Sequence, residues 1–195
     1  MQEQYRIVVA GGRETERKRI KNLLQRLGYT VAGEAEDGLT ALKMLRTLAP
    51  DLVILADELK GKKGIEVARI AMEDRICPAI VVYTRLTSAL LEGAREARVF
   101  SLLPAPVEEN ELLAAVELAV SNFQEISHLE KEVRKLREEL ESRKIIERAK
   151  GFLMQQYGLT EEEAYRRLQK QSMEKRIPMR RIAEAILLAR ELKKD

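Results

Sequence analysis

Few side chains in this 195-residue chain could carry chemistry, and they lie far apart. There is one cysteine, Cys77, and one histidine, His128, so a disulfide framework and a Cys/His zinc site are both excluded. A Ser-His-Asp hydrolase would rest wholly on His128, which sits inside a charged, heptad-like stretch. Asp57 and Glu58 follow the apolar run Leu52-Val53-Ile54-Leu55-Ala56, where a carboxylate could take a phosphoryl group or a cation. Gly11-Gly12-Arg13 follows another apolar run and could cradle a phosphate, but it lacks the spacing of the glycine-rich phosphate motifs. A tight turn accounts for it. With no paired acid and base and no activated nucleophile, the reading is not an enzyme, with no cofactor and no metal.

Composition narrows the classes further. Hydrophobic residues make up 45%, charged residues 34% and aromatics 4% with no Trp, so an aromatic base-stacking platform of the single-strand type is not expected. The net charge of +3 conceals an asymmetry: residues 143–195 carry 14 Lys/Arg against 8 Asp/Glu, while 1–142 carry 21 against 24. A basic end is where a polyanion would bind. No apolar run is long enough to span a membrane, and Met1-Gln2-Glu3-Gln4 has no signal-peptide form, so a cytoplasmic chain is expected.

The elements that must position these residues follow from periodicity. Strand-like runs are Arg6–Ala10, Thr30–Ala32, Asp51–Leu55, Ala79–Tyr83 and Val99–Leu103. The first, third and fourth are continuous Val/Ile-rich runs, as in strands buried on both faces of a parallel sheet. Between them lie helical patterns, with Ile20, Leu23, Leu24 and Leu27 on one face before Gly28, then Leu39, Leu42 and Leu45 on another. Five βα units in this rhythm predict a doubly wound α/β domain with its sites beyond the carboxyl ends of the strands.

Over residues 5 to about 120 the sequence resembles the receiver domain of bacterial response regulators, a CheY-like doubly wound five-stranded parallel sheet. That resemblance implies an acidic pair after strand 1 for Mg²⁺, a phosphoacceptor Asp ending strand 3, a Thr/Ser after strand 4 and a Lys before Pro. Here the pair is Gly11-Gly12, the acceptor position is Ala56, and the residue before Pro106 is Ala105; only Thr84 matches. Asp57 lies one residue past the acceptor, a shift that turns a strand side chain to the opposite face. The chemistry has lost its parts, and a pseudo-receiver is expected.

From Glu108 the pattern is continuously helical, with no Pro or Gly until Gly151. Ile126, Leu129, Val133, Leu136 and Leu140 alternate at spacings of three and four. With Ile126, Val133 and Leu140 at a and Leu129 and Leu136 at d, mostly β-branched a positions with Leu at d favour a parallel two-stranded coil. Across such a homodimer Glu132 meets Arg137 and Glu139 meets Lys144, while Glu125 opposite Glu130 is unfavourable. The competing reading is that the stripe packs on the chain's own domain.

Residues 142–195 read as three helices. Thr160-Glu161-Glu162-Glu163 is a capping box opening the second, with Ala164, Tyr165, Leu168 and Met173 as its apolar face. Pro178 opens the third, with Ile182, Ala183, Ile186 and Leu187 inward. Ala149-Lys150-Gly151, Leu153-Met154 and Thr160-Glu161-Glu162-Glu163-Ala164-Tyr165 with Leu168 and Pro178 resemble the ANTAR module of bacterial transcription antitermination regulators. One departure is Ser172 where that family usually has Ala.

The resemblance implies a dimer that binds RNA stem-loops in leader transcripts. The division expected is 1–121 pseudo-receiver, 122–141 coiled-coil connector and 142–195 ANTAR RNA-binding domain. Candidate RNA contacts are Arg143, Arg148, Lys150, Arg176, Arg180 and Arg181. With the acceptor lost, control would come from a partner sensor protein, from expression level, or from a small molecule in the vestigial pocket. A DNA-binding transcription factor reading duplex through Met179-Arg180-Arg181 is the alternative, and a pure protein-interaction adaptor is a third reading.

Overall fold

The computed structural model describes residues 5–191. The described chain divides into two compact units, with the boundary between Ser127 and His128.

The first unit alternates strands and helices: β1 (Arg6–Ala10), α1 (Glu14–Arg26), β2 (Thr30–Ala35), α2 (Gly38–Leu48), β3 (Leu52–Ala56), α3 (Gly64–Glu73), β4 (Ala79–Tyr83), α4 (Ser88–Glu96) and β5 (Ser101–Pro104). All strand pairs are parallel, in the order β2-β1-β3-β4-β5. Because every side chain of β1, β3 and β4 except those at the ends is buried, the two faces of the sheet support two separate cores. Ile7, Val9, Ile54 and Ile80 face one core, completed by Leu24 from α1 and by Leu112 and Val116. Val8, Val53, Leu55 and Val81 face the other, completed by Leu45 of α2 and Val67 of α3.

Three strands differ from the sequence reading, β3 by a shift of one residue to Leu52–Ala56. β2 runs on to Ala35, and β5 begins at Ser101 because Arg98 adopts positive φ and the helical turn persists into Val99. On α2, Leu42 and Leu45 are buried but Leu39 is 61% exposed. Three residues spaced by three drift around a 3.6-residue turn, so Leu39 leaves the buried face.

α5 (Glu109–Tyr157) is a single 49-residue helix, and the boundary between the units falls inside it. Its first turns complete the first core through Ala119 and Val120. In the second unit, the last turns of α5 pack with α6 (Glu161–Lys175) and α7 (Met179–Glu191) around Ala149, Leu153, Ala164, Leu168, Ile182 and Ala183. The capping box forms as read: the Thr160 amide donates to Glu163 Oε2 at 2.8 Å, and the Glu163 amide to Thr160 Oγ1 at 3.3 Å. Of the expected inner face of α6, Ala164 and Leu168 are buried, whereas Tyr165 and Met173 are exposed. Two small helices leave room for only a narrow stripe on α6.

Candidate functional site

Two regions collect the residues singled out by sequence. The first lies at the carboxyl ends of the strands, where Gly11, Gly12, Ala56, Thr84 and Ala105 border one cavity of about 310 Å³. The receiver topology therefore brings all five together. None of these five positions carries a carboxylate, and Arg17 of α1 is buried beside them, while Glu16, Asp57 and Glu58 border the cavity elsewhere. Its guanidinium donates to the Gly11 carbonyl at 2.5 Å and to Glu36 at 2.9 Å. A Cβ at Gly11 would stand 3.2 Å from Arg17 Cγ and 3.6 Å from Ala56 Cβ, so arginine methylenes crowd the position of the lost acidic pair. A fixed cation there opposes a second one. Among the described residues no group of three or more His, Cys, Asp or Glu side chains is placed to hold a metal ion.

Asp57 also borders the cavity, half-buried. Burial pushes its carboxyl above the ordinary value, with Glu58 adding to the rise and Lys63 opposing it. Cys77 is buried in the second core, and desolvation pushes its thiol up to about 12, so it packs as a small apolar side chain.

The second region is the C-terminal bundle. Arg143 is exposed, and Arg180 donates from its guanidinium to Ser142 Oγ at 3.4 Å, joining the start of α7 to α5. Arg148 and Arg180 both hold the Glu141 carboxyl low electrostatically, after the larger effect of Lys144. Arg180 and Arg181 occupy the first turn of α7 and share Glu184, at 2.8 and 3.2 Å. Two arginines at a helix N-terminus oppose its dipole, and Glu184 offsets part of that cost. Arg176 closes α6 in the left-handed conformation, φ 55°, and is exposed.

Lys150 is unlike the other five candidates. Its side chain is 8% exposed, and its ammonium donates to Glu147 at 3.0 Å and to Glu161 at 2.8 Å. These two bonds, Glu161 first, raise the lysine above its ordinary value and hold the Glu161 carboxyl below its own. A raised lysine stabilises the fold up to its ordinary value, and that stability is lost as pH rises through the raised one. A lowered carboxylate stabilises it above its ordinary value, and that is lost as pH falls through the lowered one. The bridge is therefore intact across the neutral range, tying the last turns of α5 to the start of α6.

The apolar stripe on α5 faces outward. Ile126, Leu129, Val133, Leu136 and Leu140 are between 45% and 57% exposed, so the chain's own domain does not cover them. Sequence reasoning passed over a third feature. Tyr157, Arg167, Arg190 and Phe152 form two stacked cation–ring pairs, with guanidinium-to-centroid distances of 4.6 Å for Arg167 over Tyr157 and 5.4 Å for Arg190 over Phe152. The pairing joins residues of three helices, which no linear spacing announces.

Comparison with known proteins fixes the class. Residues 7–117 match the response regulator receiver domain, and residues 134–187 match the ANTAR domain. The chain belongs to the response regulators that join a receiver to an ANTAR domain. It is 38% identical over 182 residues to the transcriptional regulatory protein PdtaR of Mycobacterium tuberculosis, covering 93% of this chain and 89% of that protein. It is 29% identical over 174 residues to the nitrate regulatory protein of Klebsiella oxytoca, covering 87% of this chain but only 39% of the relative. Among solved structures, the receiver domain of the response regulator NarL of Mycobacterium tuberculosis superposes with a TM-score of 0.58 at 22% identity, over 61% of this chain and 98% of that one, which shows the shared fold. PdtaR is a transcriptional regulatory protein, and no described helix of this chain is long and apolar enough to cross a membrane.

Proposed function

We propose that this chain is a transcription antitermination regulator that binds hairpins in leader transcripts as a dimer, and that its receiver works without phosphorylation. The observation that carries the reading is the C-terminal bundle. Ala149, Leu153, Ala164 and Leu168, which belong to the ANTAR signature, are its buried core, leaving the charged residues between them for a polyanion. The working division is 1–121 as pseudo-receiver, 122–141 as coiled-coil connector and 142–195 as RNA-binding domain.

The contacts we assign are Arg143, Arg148, Arg176, Arg180 and Arg181, which supply phosphate-directed affinity, while loop bases supply specificity. Lys150 is assigned instead to holding α5 against α6, because a lysine already shared by two carboxylates has little charge left to offer a phosphate. Dimerisation runs through the exposed stripe of α5. Loss of the acceptor at Ala56, with Arg17 lodged where a metal site would form, supports independence from phosphate. Regulation then falls to a partner sensor protein that masks the connector or the bundle until its signal arrives, in the cytoplasm where transcripts are made.

The test is binding of the full chain to two-hairpin RNAs with randomised apical loops and to duplex DNA, across a salt series. The expected result is selection of particular loops, with affinity falling steeply as salt rises because arginines displace condensed counterions. Preference for duplex DNA would replace this reading with the DNA-binding one, for which the start of α7 would be the reading element. Absence of salt-dependent binding to either would leave an adaptor.

A further inference from the structure

Resting on the RNA-binding reading, we infer that the cavity between the end of α5, α6 and α7 is a pocket for one unpaired purine base of the hairpin loop. The cavity measures about 610 Å³, within the usual range for small-ligand sites. Its walls are chemically selective. Arg167 lies over the Tyr157 ring and Arg190 over the Phe152 ring, so the walls present aromatic and guanidinium surfaces. Both kinds of surface stack on nucleobases. Gln155 and Gln171 bring carboxamides, each offering a donor and an acceptor to a base edge. Glutamine pairs with the N6/N7 edge of adenine and arginine with the O6/N7 edge of guanine, so this set favours purines over pyrimidines.

Charge separates this cavity from the other concavity of the bundle. Although the unit is rich in glutamate, no Asp or Glu among the described side chains lines the Tyr157 cavity. The concavity beside Arg143 is of mixed charge, bordered by Glu138, Glu139 and Glu147 as well as by Lys135 and Arg143. Tyr157 is 54% exposed, with Arg167 over its ring. A ring left half in water, capped by an arginine, is a preformed stacking surface. One such surface serves one base and needs no extended aromatic platform.

The experiment uses the full chain and a two-hairpin RNA taken from the randomised-loop selection. Each loop position is made abasic in turn, and the affinity of wild type, Tyr157→Leu, Tyr157→Phe and Arg167→Gln is measured. One purine position is expected to dominate, its removal costing wild type about tenfold in affinity, the scale of one base–aromatic stack. Tyr157→Leu and Arg167→Gln are expected to lose about the same tenfold on the intact RNA and nothing further on the abasic one, while Tyr157→Phe keeps wild-type affinity. Loop-selective binding that all three variants retain, with the same dependence on every base, overturns the pocket and leaves the RNA-binding reading intact. No selection of any loop by wild type overturns both. Circular dichroism of the variants confirms that the bundle is folded, as expected for substitution of exposed side chains.

Discussion

Replacing Leu129 and Leu136 together with Glu converts the protein to a monomer and lowers its affinity for a two-hairpin RNA by about 10²–10⁴-fold, the usual gain from linking two binding modules. Affinity for a single hairpin stays within about threefold, because the contacts of one bundle are untouched. The seam has only five apolar residues, all at least 45% exposed in the single chain. Two d-position carboxylates in each helix would place four like charges along a strip that otherwise excludes water, and such a short coil has no reserve to offset them. Analytical ultracentrifugation of the free protein and titration with one-hairpin and two-hairpin RNAs check the prediction. A variant that remains dimeric, or that loses single-hairpin affinity equally, would contradict the assignment of this stripe to dimerisation.

Leu168→Ala is expected to melt the C-terminal bundle while leaving the first unit folded. Leu168 is fully buried, and the cluster around it holds only six buried residues. A buried Leu→Ala change costs about 3 kcal/mol, and a unit of this size holds only about 3–5 kcal/mol in its core. The expected consequence is a fall of roughly 10–20 °C in the bundle's melting temperature. Differential scanning calorimetry should then show two transitions, the lower displaced and the upper unchanged, with RNA binding lost above the lower one. Tyr165→Ala on the same helix is a matched control, because Tyr165 is 42% exposed and the change should move stability by no more than about 0.5 kcal/mol. Equal effects of the two substitutions would mean that the packing around Leu168 is not what holds the bundle.

The alternation of Val/Ile runs with amphipathic stretches made the parallel sheet legible, since buried strands cannot hide their composition: β1 and β4 lie where the residues placed them. The capping box at Thr160 and the stop at Gly28 were legible for a similar reason, being local solutions to unsatisfied amides and to positive φ. Leu39 and Met173 were not, because near-helical spacing does not reveal which residue faces a neighbouring element. In the candidate site, spacing located the lost receiver positions but gave no sign of Arg17, whose burial depends on a glycine six residues earlier leaving it room. Lys150 reads on paper like any other basic helix residue, and only tertiary packing sets Glu161 against it. The Tyr157 pocket joins side chains from α5, α6 and α7, so no single stretch of sequence carries it.

The central claim is most directly tested by transcription in vitro through an intrinsic terminator preceded by the selected two-hairpin RNA, with purified protein and no phosphodonor. The account predicts increased read-through as protein is added, unchanged by acetyl phosphate, with no acyl phosphate on the protein by mass spectrometry. Termination that stays constant with protein bound, or read-through that appears only with a phosphodonor, would contradict it.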